Sequence, residues 1–193
     1  SIKQFKSRRY FDLMRNFRRY SWLITYLFGA SPAACASFIK SKNHELLKFF
    51  DRKTMFSPHS TSLRSGDIGY QSGVQSEHVT VSYNGLAEYV SSLKAAIQNN
   101  FKGYEKFSKK KSQISSSLLQ SEAEFYTTIR AKRKIDHGEN FVLSLSQNGV
   151  EYVELRLLDL NPFTPLGISE DQIRFLDIFL LFCLLIDSPK DDV

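Results

Sequence analysis

Gly149-Val-Glu-Tyr-Val-Glu-Leu-Arg-Leu-Leu-Asp-Leu-Asn-Pro-Phe163 is the stretch on which the rest of the chain is organised. It is rich in β-branched, aromatic and leucine residues, opens after Gly149 and stops at Asn161-Pro162, so it reads as a strand. Strand side chains alternate between faces. Val153, Leu155 and Leu157 point one way, and Tyr152, Glu154, Arg156, Leu158 and Leu160 point the other. Glu154 and Arg156 therefore stand side by side, about 6.5–7 Å apart along the strand, between apolar neighbours. A carboxylate and a guanidinium in such a surface each need a partner. Two readings stay open. The two charges form a same-face ion pair that stabilises a solvated sheet, or Glu154 holds a hard cation such as Mg²⁺ and Arg156 an anionic group such as a phosphate.

Upstream, Leu119 to Lys132 alternates in the same way. Leu119, Ala123, Phe125 and Ile129 face one side, and Glu122, Glu124, Tyr126, Thr128 and Arg130 the other. If these two strands pair, Tyr126 and Arg130 share a face with Glu154 and Arg156. Residues 133–148 connect them, with a helical turn around Phe141–Leu145. Downstream, Ser169-Glu-Asp-Gln172 is a capping box that starts a helix running to Ile186. Its uninterrupted apolar run, Ile178 to Ile186, is shorter than the roughly 20 residues a membrane span needs. Apolar residues on nearly every side predict burial inside a larger protein.

Toward the N-terminus, residues 4–28 read as one long helix with Tyr10, Leu13, Phe17, Tyr20, Ile24 and Leu27 as its apolar stripe. Gly29 suits the C′ position. Arg8, Arg9, Arg15, Arg18 and Arg19 lie off the stripe, on a predicted solvated face. Ser31-Pro32 reads as a helix restart carrying Cys35, Phe38 and Ile39. Residues 41–84 are irregular, and within them Thr61 to Tyr70 forms a loop in which Gly66 and Gly69 free the backbone around Arg64, Asp67 and Tyr70. Asn84 is placed to cap a helix with Leu86, Val90, Leu93 and Ile97 on its stripe. Lys102 to Lys111 reads as an exposed basic connector.

A chain of 193 residues with 16 Phe and 9 Tyr can bury a core as one domain, and its net charge of +6 favours anionic partners. Cys35 and Cys183 are far apart in apolar or small-residue surroundings and read as buried free thiols in a reducing, cytoplasmic compartment. No signal-peptide pattern is visible. A start at Ser1-Ile-Lys and an end just past an apolar helix suggest a fragment of a longer protein. The sequence contains no P-loop, dinucleotide fingerprint, zinc spacing or GxSxG elbow, and His44, His59, His78 and His137 are scattered. Arg-Arg-Tyr-Phe (8–11) and Phe-Arg-Arg-Tyr (17–20) interleave basic and aromatic residues. They raise the alternative of a non-enzymatic basic α+β module that binds nucleic acid or another polyanion.

Five motifs occur together in one order: Arg9-Tyr-Phe-Asp-Leu-Met-Arg-Asn-Phe17; Tyr26-Leu-Phe-Gly-Ala-Ser-Pro-Ala33; Thr61-Ser-Leu-Arg64 with Gly69-Tyr70; Glu151-Tyr-Val-Glu-Leu-Arg156 with Asp159-Leu-Asn-Pro-Phe163; and Arg174-Phe-Leu-Asp177. In this the chain resembles bacterial glutamate–cysteine ligase (γ-glutamylcysteine synthetase) of the type 1 family. The likeness covers residues 1–193 as the central part of a single catalytic domain. It implies an α+β, glutamine-synthetase-like fold in which an antiparallel sheet lines a funnel for ATP, Mg²⁺ or Mn²⁺, L-glutamate and L-cysteine. It also implies formation of γ-glutamylcysteine through a γ-glutamyl phosphate, the first step of glutathione biosynthesis, by a cytoplasmic enzyme, monomeric at full length, without nucleic-acid or membrane partners.

By that resemblance Glu154 is a metal ligand and Arg156 steadies the transferring phosphoryl group. Arg64 meets a substrate carboxylate, Tyr70 and Tyr126 belong to the cysteine pocket, and Arg130 is a basic substrate-side position. Gln113-Ile-Ser-Ser-Ser-Leu-Leu-Gln120 departs from the family, with serines where Asn-containing sequence is expected and a short connector before it. One carboxylate does not make a catalytic metal cluster. The remaining ligands and much of the nucleotide site are therefore expected outside this chain, which by itself is expected to be inactive.

Overall fold

The computed structural model describes residues 1–39, 47–66, 73–109 and 113–191. Its first half contains α1 Ile2–Tyr20, α2 Trp22–Phe28, β1 Ala33–Cys35, α3 Ala36–Ile39, β2 Lys48–Phe49, β3 Thr54–Phe56, α4 Gly73–His78 and α5 Leu86–Gln98. Then follow α6 Glu105–Lys109, β4 Ile129–Lys132, α7 Phe141–Asn148, β5 Tyr152–Leu155 and α8 Glu170–Leu185. The architecture is α+β: β1, β3 and β2 form one antiparallel sheet and β4 and β5 another.

The central element is α1, which starts on a Ser1/Gln4 capping box and packs against α8, β4, β5 and α5. Because it has neighbours on several sides, its enclosed face is wider than the predicted stripe. Phe11, Met14 and Phe17 are buried, while Tyr20 and Leu27 are exposed. Phe17 meets Phe179 edge-to-face at 5.7 Å and Phe11 meets Tyr89 at 5.4 Å, the geometry that aromatic quadrupoles favour. The helix expected over 4–28 is divided at Ser21 into α1 and α2.

The five arginines of α1 divide: Arg8 and Arg18 are exposed as expected, whereas Arg9, Arg15 and Arg19 are drawn into contacts with the chain's C-terminal part. Arg15 is buried: its Nη2 reaches the Asp12 carboxylate at 2.5 Å and the Ser188 carbonyl at 3.0 Å, and its Nη1 donates to the Tyr83 carbonyl at 3.0 Å. Arg19 donates to the Asp191 carboxylate at 2.5 Å, and Arg9 to the Leu184 carbonyl. These side chains hold the segment after α8 along α1. Within the basic-aromatic stretches 8–11 and 17–20, Phe11 and Phe17 are buried and Arg9 and Arg19 are tied to the C-terminal part of the chain, while Arg8, Arg18 and Tyr20 stay exposed.

Several local expectations change for reasons of packing. Gly29 is extended (φ −63°, ψ 128°) rather than left-handed; a Cβ there would meet Thr25 O at 2.5 Å and Thr61 O at 2.7 Å, so close chain approach requires the glycine. Ser31 starts no helix, because its hydroxyl is committed to Asp159, and β1 follows it. Gly85, not Asn84, takes the N-cap of α5, because Asn84 exchanges two hydrogen bonds with Asp191. Cys35 is exposed in β1, whereas Cys183 is buried, and both are free thiols. The basic connector contains a 3-10 turn and α6.

The two decisive strands are shorter than the alternation suggests. Upstream, only 129–132 is strand; Glu122–Glu124 forms a 3-10 turn, which leaves Ala123 exposed while Leu119, Phe125 and Ile129 stay buried. Downstream, β5 ends at Leu155, although Leu157 continues the buried parity. Helix α7 is longer than the one turn expected, and α8 opens on the predicted Ser169/Gln172 box. Helix α8 buries Leu176, Phe179 and Cys183 but exposes Ile178, Leu181 and Leu185, so the described residues cover only one of its apolar faces. Among the described residues, no helix is long and apolar enough to cross a membrane.

Candidate functional site

The β4–β5 register places Arg130 directly opposite Glu154. Arg130 Nε and Nη2 both donate to Glu154 Oε2, at 3.1 and 2.7 Å, and Nη1 donates to the carbonyls of Ala123 at 3.0 Å and Glu122 at 3.3 Å. All three guanidinium nitrogens of this buried arginine are thus engaged. Desolvation pushes the Glu154 carboxyl up, but the Arg130 hydrogen bonds and charge, with Lys132 and Arg156 nearby, outweigh it and hold the group below its ordinary value. Glu154 is therefore a carboxylate at neutral pH.

Arg156 follows where the strand leaves the sheet. Its N–H donates to the Thr128 carbonyl at 2.9 Å, and its Nη1 to the Phe125 carbonyl at 3.3 Å. There it lines a pocket of about 330 Å³ together with Arg18, Arg64, Tyr126, Thr127 and Thr128. Among the described residues, the lining holds three arginines and no acidic side chain. Such a surface suits carboxylate or phosphoryl oxygens.

Each wall is fixed from behind. The Tyr126 N–H donates to Gln75 Oε1 at 3.0 Å, and Gln75 Nε2 donates to the Glu124 carbonyl at 2.9 Å, so α4 clamps the backbone that carries Tyr126. Arg18 lies over the Tyr83 ring at 4.4 Å and 3.5 Å from the Asp191 carboxylate. Burial pushes the Tyr83 hydroxyl up to about 12, keeping it a donor to the Ile129 carbonyl at 2.8 Å. Arg64 Nη1 donates to the Leu158 carbonyl at 2.8 Å and lies 3.7 Å from Asp159 Oδ1.

Of the residues singled out in the sequence, Arg64, Tyr126 and Arg156 meet in this pocket. Arg130 and Glu154 pair on the adjoining strands without lining it. Tyr70 lies outside the described residues. Sequence reasoning missed Arg18 and Asp159. Nothing local separates Arg18 from its neighbouring arginines. Asp159 did carry a signal: it is an acid at the same parity as Val153, Leu155 and Leu157, the core-facing set.

Among the described residues, no three His, Cys, Asp or Glu side chains converge to hold a metal ion. Glu154 fits as one oxygen ligand, but Mg²⁺ requires about six and Oε2 is already shared with Arg130. This chain cannot build the whole metal site from its described residues.

The sequence profile of glutamate-cysteine ligase matches residues 1–193. The glutamate–cysteine ligase of Alcanivorax borkumensis is 50% identical over 198 residues, covering 98% of this chain and 37% of that protein. The crystal structure of glutamate–cysteine ligase from Francisella tularensis in complex with AMP superposes with a TM-score of 0.89 at 36% identity, covering 96% of this chain and 38% of that one. A bifunctional glutathione synthetase from Pasteurella multocida superposes at a TM-score of 0.66 with 27% identity, covering 100% of this chain and 20% of that one. The chain thus spans a little over a third of the length of the ligases it matches. With its sequence and fold matching theirs over nearly its whole length, it belongs to the glutamate–cysteine ligase family.

Proposed function

We propose that this chain supplies one wall of the active site of an ATP-dependent ligase that joins the γ-carboxylate of L-glutamate to the amine of L-cysteine. The observation that carries the reading is the meeting of Arg64, Tyr126 and Arg156 in one basic pocket. In the reaction, a γ-carboxylate oxygen attacks the terminal phosphorus of ATP and ADP leaves. The cysteine amine then attacks the acyl carbon, and phosphate leaves with the C–O bond pair. The similarity to a ligase whose structure is an AMP complex supports a nucleotide substrate.

This chain's own residues act mainly by position and charge, as phosphoryl transfer demands. Arg156, braced by the Phe125 carbonyl, presents its remaining N–H groups to the oxygens of the transferring group. Arg64 receives a substrate carboxylate, and Tyr126 flanks it as part of the cysteine pocket, with Tyr70 assigned there by family resemblance. Arg130 holds Glu154 ionised and oriented. Bound Mg²⁺ or Mn²⁺ would neutralise phosphate charge; Glu154 would be one of its ligands. The enzyme would work in the cytoplasm as a monomer.

The test is Arg156→Ala in the full-length ligase that carries this segment, with γ-glutamylcysteine and ADP measured together. The expected loss in kcat is about 10²–10³-fold, typical for removal of one charge-stabilising donor. An unchanged rate would overturn the assignment. The isolated 193-residue chain is expected to show no turnover of glutamate, cysteine and ATP.

A further inference from the structure

Asp159 lies four residues past β5, and its side chain is only 3% exposed. One oxygen, Oδ2, accepts hydrogen bonds from the Ala30 N–H at 2.9 Å and the Ser31 hydroxyl at 2.7 Å, fastening the turn after α2. The other, Oδ1, is buried, has no hydrogen bond and lies 3.7 Å from Arg64 Nη1. Fastening the turn requires only a neutral acceptor, which an asparagine amide oxygen would supply. A full negative charge in a buried setting is unfavourable unless a cation faces it, and the cation it faces is a wall of the pocket.

The pocket also brings Arg18, Arg64 and Arg156 to one cavity. Three like charges on one surface repel, and a buried carboxylate behind one of them reduces that repulsion and fixes where its guanidinium points. The Leu158 carbonyl holds the same nitrogen, Nη1, at 2.8 Å, so two consecutive residues grip Arg64 at the edge of the cavity it lines. We propose that Asp159 is the positioning residue for Arg64, setting the guanidinium that receives a substrate carboxylate. This rests on the reading of Arg64 given under the proposed function.

The test uses the full-length ligase carrying this segment and compares Arg64→Ala, Asp159→Asn and Ser31→Ala. KM is measured for each amino-acid substrate, with kcat and Tm. Arg64→Ala identifies the substrate concerned by raising its KM. Asp159→Asn keeps the acceptor for Ala30 and Ser31 but removes the charge. It is expected to raise the same KM about tenfold with kcat within about twofold, the pattern of lost ground-state binding. It should add nothing further in the Arg64→Ala background. Ser31→Ala removes one hydrogen bond to Asp159 Oδ2 but keeps the charge that faces Arg64, and should lower Tm with a clearly smaller change in KM than Asp159→Asn.

If Arg64→Ala raises KM and Asp159→Asn does not, the positioning role is overturned while the ligase reading stands. If Arg64→Ala itself leaves both KM values unchanged, the role of Arg64 falls and this proposal with it. Should Asp159→Asn fail to fold, Asp159→Glu retains the charge but displaces it. A wild-type KM in that variant overturns the proposal, and a raised KM at unchanged kcat supports it.

Discussion

Arg130 and Glu154 face each other across the β4–β5 pair, with two guanidinium nitrogens on a single carboxylate oxygen at 2.7 and 3.1 Å. The strand pairing therefore couples the residue assigned to a metal with one buried beneath the sheet. It also sets an asymmetry: the Arg130 side chain is 10% exposed and that of Glu154 39%.

Removing the arginine should be the costlier change. Arg130→Ala leaves the Ala123 and Glu122 carbonyls without their donor and Glu154 without its partner, and is expected to destabilise by about 2–4 kcal/mol. Glu154→Gln should cost only about 0.5–1 kcal/mol, because solvent screens the exposed carboxylate. Urea unfolding of the two variants should order them this way.

The same pair makes a pH prediction. Glu154 is held below its ordinary value in the folded state, so its ionised form stabilises the fold above the unfolded-state pKa of about 4.3. That contribution is lost as pH falls through the lower folded value. Wild type and Glu154→Gln should differ in Tm at pH 7, and the difference should close on acidification below about pH 4. A difference that grows on acidification would reverse the sign and refute the pairing.

Arg15 anchors the segment after α8. Arg15→Ala removes bonds to Asp12, Tyr83 and Ser188 at once and leaves buried acceptors behind, so a loss of about 3–5 kcal/mol is expected. Amide exchange should rise across 187–191 together with the drop in stability. Protection unchanged in that segment would show that the strap does not depend on Arg15.

The two thiols should separate cleanly. Hydrogen bonds from Ser37 lower the exposed Cys35 thiol, while burial raises Cys183 to about 11. Iodoacetamide at pH 7.5 is expected to alkylate Cys35 in the native protein and Cys183 only after denaturation, as read by peptide mass spectrometry.

The outer face of α8 gives a prediction about the chain on its own. Ile178, Leu181 and Leu185 recur at helical spacing and are exposed. The isolated 193-residue chain should self-associate at micromolar concentration, and Leu181→Lys should reduce that association without lowering Tm. Sedimentation velocity of both forms would decide it.

Only part of the alternation and capping chemistry is legible in the sequence, since the caps expected at Ser31 and Asn84 are diverted to distant partners. The buried parity of 153, 155 and 157, the Ser169 capping box and the α7 nucleus all rest on neighbours within a few residues. The collinear motifs were enough to identify the family. The strand expected from alternation is longer than β5 because side chains keep alternating past Leu155, beyond the paired register with β4.

What only the tertiary structure decided is which distant groups each charge meets. Sequence periodicity says which way a side chain points, not what stands opposite. Arg15 reads the same as Arg18 in a helix, yet the first is sealed against Ser188 and the second opens onto the pocket. Asp159 meets Ala30 and Arg64 only after loops more than ninety residues apart in sequence are brought together. Burial gives those charges their strength, and burial is a property of the assembled chain.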